Sequence, residues 1–121
     1  MKRCLVVDDS RVIRKVLCRI LGDLRFETEE AEGGLVALEI CRRQMPDLIM
    51  LDWNLPSMKG IEFLRTLRRE RNGSVPLVVF CTTENNVAHI TEALGAGANG
   101  YIMKPFDRGI IESKLAEVGL I

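Results

Sequence analysis

Five strand-like runs, four of them apolar, each followed by a stretch with helical spacing, limit what this chain can fold into more than any other feature. The runs cover residues 4–7, 26–30, 48–51, 76–81 and 101–103. After the first, Ser10 is a candidate helix cap, and Val12, Ile13, Val16, Leu17, Ile20, Leu21 and Leu24 repeat with the period of one buried helix face. Arg11, Arg14, Lys15 and Arg19 fall outside that stripe. Ala37, Leu38, Cys41 and Met45 space a second helix, which Pro46 ends. Gly60 precedes a third with Ile61, Leu64 and Leu67; Val87, Ile90 and Leu94 mark a fourth; Ile110 or Ile111, Leu115 and Val118 mark a fifth. Residues 48–51 are apolar without alternation, as in a strand covered on both faces, whereas the charged run 26–30 suits a sheet edge. Alternation of this kind predicts a single α/β domain over residues 1–121, a doubly wound (βα)5 fold with a parallel five-stranded sheet.

Composition removes several function classes. Lys+Arg and Asp+Glu both number 17, so nothing electrostatic draws the chain to nucleic acid or an anionic membrane. No apolar run approaches the ~18 residues that span a bilayer, so no membrane insertion is expected. Asp8 and Asp9 interrupt the N-terminal apolar run too early for a signal peptide. Cys4, Cys18, Cys41 and Cys81 are scattered without metal-ligand spacing and read as small apolar residues of a cytoplasmic protein. Arg65, Arg68, Arg69 and Arg71 read as a solvated helix face, and Glu29, Glu30 and Glu32 as a solvated edge. Trp53 is expected to be partly exposed, and His89 to be a surface residue. The chain stops after its fifth helix, so no output domain is expected.

The reactive residues collect at the ends of the runs. Asp8 and Asp9 follow the first, Asp52 the third, Thr82 the fourth and Lys104 the fifth. In an open α/β sheet, ligands bind beyond the carboxyl ends of the strands, where strand order reverses. Were the first and third strands neighbours, three carboxylates would share one basin. Two unit charges ~5 Å apart repel by about 3 kcal/mol at an effective dielectric of ~20. A hard divalent cation relieves that cost, and Mg2+ is typically held by one or two carboxylates plus a phosphoryl oxygen. Lys104 offers a point charge to phosphoryl oxygens and the Thr82 hydroxyl a donor. Asp52, central and followed by the turn Trp53-Asn54-Leu55-Pro56, is the best candidate nucleophile for an aspartyl phosphate.

Val7-Asp8-Asp9-Ser10, Asp52-Trp53-Asn54-Leu55-Pro56, Thr82-Thr83-Glu84 and Gly100-Tyr101-Ile102-Met103-Lys104-Pro105-Phe106 resemble the receiver domain of bacterial response regulators. The likeness covers essentially the whole chain and is greatest to the CheY-like single-domain type. The resemblance, not the sequence pattern, supplies the flavodoxin-like strand order 2-1-3-4-5, for which CheY is itself a standing example. It implies that Asp52 accepts a phosphoryl group from a histidine kinase or histidine phosphotransferase. It implies Mg2+ ligation by Asp9, Asp52 and the backbone carbonyl of Asn54, with Asp8 reaching the metal through water. It further implies a phosphoryl-binding Lys104 before a cis proline bond, a switch hydroxyl at Thr82, a switch aromatic at Tyr101, and tuning of acyl-phosphate hydrolysis by Asn54 and Glu84. Such a protein is a monomer that assists only its own phosphorylation and dephosphorylation. It changes the face made by the fourth helix, fifth strand and fifth helix for a downstream protein. Lys59 departs from the pattern, because the family often has an acid before the glycine at position 60.

Three other functions compete. A haloacid-dehalogenase-type phosphatase needs Asp-x-Asp after the first strand, where this chain has adjacent Asp8-Asp9; turnover of small phosphomonoesters would reveal one. A flavin electron carrier needs a donor-rich phosphate loop after the first strand, where these acids would repel it; a coloured protein would reveal that. A receiver-like interaction module that is never phosphorylated would lack an acyl-phosphate adduct.

Overall fold

Apolar runs become strands and periodic stretches become helices, in alternation along the chain. The elements are β1 (Arg3–Val7), α1 (Arg11–Asp23), β2 (Glu27–Ala31), α2 (Gly34–Arg43), β3 (Leu48–Leu51), α3 (Gly60–Arg69), β4 (Leu77–Thr82), α4 (Val87–Gly95), β5 (Gly100–Met103) and α5 (Arg108–Glu117). The structure, a computed structural model, describes residues 1–83 and 86–121. All strand pairs are parallel, and the sheet order is β2-β1-β3-β4-β5. The chain leaves β1 toward one edge, returns, and builds the rest on the other side. The order therefore reverses between β1 and β3.

Each buried strand sends alternate side chains into two separate cores. Leu5, Val7, Ile49, Leu51, Val78 and Phe80 pack under α2, α3 and α4 against residues such as Leu38, Ile61, Leu64 and Ala93. Cys4, Val6, Leu48, Met50, Val79 and Cys81 pack under α1 and α5 against Leu17, Leu21, Ile111 and Leu115. This two-sided burial is why residues 48–51 show no polar alternation. Ser10 caps α1, its side chain accepting from the Ile13 N–H. All cysteines are free.

Helix rotation differs from expectation in two places. Val12 and Val16 point to solvent, because α1 meets the sheet through the narrower stripe Ile13, Leu17 and Leu21. Val87 and Leu94 are exposed on α4, whose buried contact is the small Ala93. Two charged stretches are also less solvated than expected. Glu29 pairs with Arg3, and Glu30 pairs with Arg14 and Lys15, pinning the edge strand to its neighbours.

Arg68 is not part of a solvated face. Its guanidinium donates to the Gly97 carbonyl at 2.7 Å, to the carbonyls of Gly73 and Pro76 at 2.8 Å each, and to Asn99 Oδ1 at 3.1 Å. One side chain thus satisfies carbonyls of the α3–β4 and α4–β5 connections at once. Removing a partly buried charged donor leaves those acceptors unpaired, at about 1.5–3 kcal/mol for a bond to a charged group. Arg68→Ala should lower urea stability by about 2–4 kcal/mol, whereas Arg69→Ala, at an exposed neighbour, should change it by less than about 0.5 kcal/mol. Equal effects would show the Arg68 contacts to be unimportant.

Candidate functional site

The parallel ladders continue one residue beyond the strands, and that continuation assembles the site. Val7 is in register with Leu51, and the Asp52 N–H donates to the Val7 carbonyl at 2.9 Å. The Asp8 N–H donates to Ala31 O at 3.1 Å. Thr82 is in register with Met103, and the Lys104 N–H donates to Thr82 O at 2.9 Å. Strand pairing alone therefore sets Asp8 beside Asp52 and Lys104 beside Thr82, at the carboxyl end of the sheet and at the reversal of strand order. The Lys104–Pro105 peptide bond is cis.

Asp8, Asp9 and Asp52 each place a carboxylate oxygen within 4.8 Å of the others, with Asp8 and Asp52 buried and Asp9 exposed. Lys104 Nζ lies 2.8 Å from Asp8 Oδ2 and 3.6 Å from Asp52 Oδ2. One ammonium against three carboxylates leaves two negative charges uncompensated. An all-oxygen donor set with that residual charge, open on the Asp9 side, fits a hard divalent cation such as Mg2+. Asp8 is held firmly: Oδ1 accepts from the Ser10 N–H at 2.9 Å, and Arg14 Nη1 donates to its backbone carbonyl at 2.8 Å. Burial pulls the Lys104 ammonium toward lower pKa, but the hydrogen bond it donates to Asp8 and the charge of Asp52 outweigh it, so Lys104 stays protonated more tenaciously than a free lysine.

Burial raises the pKa of Asp52, and the charge of Asp8 raises it further; Lys104, the Thr82 hydroxyl and the Trp53 N–H counter this without cancelling it. The folded protein therefore holds the Asp52 proton more tightly than the unfolded chain does. Below the ordinary value of 3.8 the carboxyl is neutral in both states and costs nothing. As pH rises above that value the unfolded chain ionises first, which subtracts stability, and the loss is complete once pH exceeds the folded value. Metal-free Asp52→Asn should then melt several degrees above metal-free wild type at neutral pH, by about 1–2 kcal/mol. The gap should close in acid. A variant that melts below wild type at neutral pH would contradict the crowding of these acids.

The structure brings together Asp8, Asp9, Asp52, Thr82 and Lys104 of the sequence-derived set. Thr82 is fully buried, its hydroxyl near enough to the Asp52 carboxylate to favour its charged form. Asn54 is exposed in the turn after Asp52. Tyr101 is half-buried, its ring 6.0 Å from that of Phe80. Lys59 is exposed at the start of α3. Glu84 lies outside the described residues. Two expectations are corrected. Trp53 is buried, its ring centroid 5.2 Å from Phe80 and 5.0 Å from His89. His89 is half-buried on Trp53 instead of lying free on the surface, because α4 sets its first turns over the β3–α3 connection. The direct Asp8–Lys104 pair has no counterpart in the sequence reading either; β1 and β5 are not neighbours in the sheet, and the Lys104 side chain reaches across to meet a residue 96 positions away.

A cleft of about 240 Å³ opens beside Asp9, walled by Gly33, Gly34, Leu35 and Pro56. The larger cavity, about 430 Å³, lies at the opposite pole between the C-terminal ends of α2 and α3 and is lined by Arg42, Arg43 and Arg71. It touches none of these acids. No helix among the described residues is long and apolar enough to cross a membrane.

The family model of the response regulator receiver domain matches residues 4–116. The chemotaxis protein CheY-3 of Vibrio cholerae is 37% identical over 117 residues, covering 96% of this chain and 90% of that protein. The chemotaxis protein CheY of Pseudomonas aeruginosa is 35% identical, covering 96% and 94%. Among solved structures, chemotaxis protein CheY4 of Vibrio cholerae superposes with a TM-score of 0.92 at 32% identity over 98% of both chains. A CheY-like receiver domain protein from Methanospirillum hungatei superposes at 0.88 with 30% identity, covering 97% and 92%.

Proposed function

The chain belongs to the response regulator receiver domain family, and from that premise we propose that it is the phosphoacceptor of a two-component or phosphorelay system, with Asp52 as the residue modified. One observation carries the reading: two further carboxylates, Asp8 and Asp9, and one lysine, Lys104, converge from distant strand ends on the buried Asp52, with an open cleft beside Asp9. The names of the similar proteins favour a chemotaxis pathway.

In the proposed reaction an Asp52 oxygen attacks the phosphorus of a phosphohistidine on a kinase or phosphotransferase. The P–N bond breaks as the new P–O bond forms, and the imidazole keeps the electron pair and takes a proton from water. Asp9, Asp52 and the Asn54 carbonyl would hold Mg2+, with Asp8 behind a water; the ion supplies charge neutralisation for the phosphoryl oxygens. Lys104, shared between Asp8 and Asp52, turns part of its charge to the new phosphoryl group. The Thr82 hydroxyl exchanges the Asp52 carboxylate for a phosphoryl oxygen, and Tyr101 follows it inward. Asn54 and Glu84 set the lifetime of the acyl phosphate.

The added group brings about 1.5–2 negative charges, enough to bias two preexisting states. The face they alter comprises α4, β5 and α5, where Val87, Leu94, Met103 and Ile110 stand exposed, as suits docking of a protein partner. The deciding test is incubation with acetyl phosphate and magnesium, read as intact mass.

A further inference from the structure

We infer that His89 is a positioning residue that couples Asp52 to α4 through Trp53. The inference rests on Asp52 being the phosphoacceptor and adds a route separate from the Thr82 hydroxyl. Trp53 directly follows Asp52, and its backbone N–H faces the Asp52 carboxylate and favours its charged form. Its indole is nearly inaccessible at 5% exposure, so the ring cannot turn freely when the main chain beneath it moves. It meets Phe80, which is fully buried in β4 and fixed by register to Leu51. It also meets the imidazole of His89, ring centroids 5.0 Å apart and planes inclined by 31°. That separation lies in the range of paired aromatic rings.

Among the described residues, Ala93 is the only buried one of α4, and it lies toward the C-terminal end, as does Glu92, which pairs with Arg65 of α3. The helix begins at Asn86, whose side chain accepts from the Ala88 N–H, and Ile90 N–H donates to Asn86 O at 3.0 Å. The imidazole on the indole is therefore a core-directed ring contact of the N-terminal half, the half nearer the site. A phosphoryl group on Asp52 offers the Trp53 backbone N–H a more highly charged acceptor. The indole shifts against an immovable Phe80, and the displacement is delivered to His89 and the first turns of α4. Phe80 also meets Tyr101, so the same aromatic line reaches β5.

The experiment uses beryllofluoride with magnesium as a phosphoryl stand-in. Fluorine NMR reports loading, and amide hydrogen exchange across α4 reports the response. Wild type should load and change α4 exchange by about fivefold or more. His89→Ala should load but respond by less than about twofold, while His89→Phe, which keeps a ring, should respond like wild type. Both variants should melt close to wild type, since His89 is only half-buried. An α4 response in His89→Ala equal to wild type overturns the inference, as does a failure of His89→Phe to restore it or an unresponsive α4 in loaded wild type. Absence of any bound fluorine signal in wild type instead overturns the phosphoacceptor reading, and this inference falls with it.

Discussion

Wild-type protein held with acetyl phosphate and magnesium should gain about 80 Da, and Asp52→Asn should gain nothing above background. The reason lies in how the three acids are occupied. Asp8 has one oxygen on the Ser10 N–H and the other on Lys104, so attack by either would break a buried contact. Asp9 is exposed and offers no enclosed surroundings for a transferred phosphoryl group. Asp52 is buried, has its pKa raised, and sits within reach of both Lys104 and the Thr82 hydroxyl, so donors are already aimed at the place where phosphoryl charge will develop. Removing the metal with a chelator should abolish the adduct in wild type as well. An adduct that survives in Asp52→Asn would move the acceptor to Asp8 or Asp9. An adduct absent from wild type under these conditions would leave an interaction module that is not phosphorylated as the better reading.

What sequence made legible follows from where the constraint was local. Strands buried on both faces need unbroken apolar runs, so residues 48–51 coincide with β3 as observed. The acids and the lysine were legible because parallel strands must end at one pole, which places every strand-final residue there regardless of order. Which of them touch was not local. Asp8 meets Asp52 only because β1 neighbours β3, and that adjacency came from a family resemblance. Helix faces failed for a related reason. Periodicity names a stripe, but the rotation of the helix about its axis is set by the surface beneath, so Val12 and Val87 were assigned to the core and stand in solvent. Arg68 was hidden differently: its acceptors are main-chain carbonyls of loops, which no residue type announces.

Gly60→Ala should be the most damaging small substitution near the site, although sequence alone marks Gly60 only as the start of a helix. A Cβ at this position would lie 2.2 Å from the Asp52 carbonyl oxygen and 3.0 Å from Cε1 of Phe80. Neither neighbour can retreat. The Asp52 backbone is tied to β1 through its N–H to Val7 O at 2.9 Å, and Gly60 is tied to the same turn through its own N–H to Trp53 O at 2.9 Å. Phe80 is fully buried, its ring tilted against that of Trp53. The close approach lets α3 begin directly against the end of β3, which keeps the Trp53–Lys59 connection short and Asp52 rigid. Overpacking against fixed backbone should cost about 3 kcal/mol, a fall of about 10 °C in melting temperature. The variant that still folds should give a lower acetyl phosphate adduct yield, because relief of the clash must displace either the Asp52 carbonyl or α3. Gly22→Ala is the matched control: a Cβ there meets nothing within 4 Å, and α1 should gain up to about 1 kcal/mol from the better helix former. If Gly60→Ala melted within about 2 °C of wild type with its adduct yield intact, the turn would be soft, and the rigidity assigned to Asp52 and to the Trp53 indole behind it would be lost together.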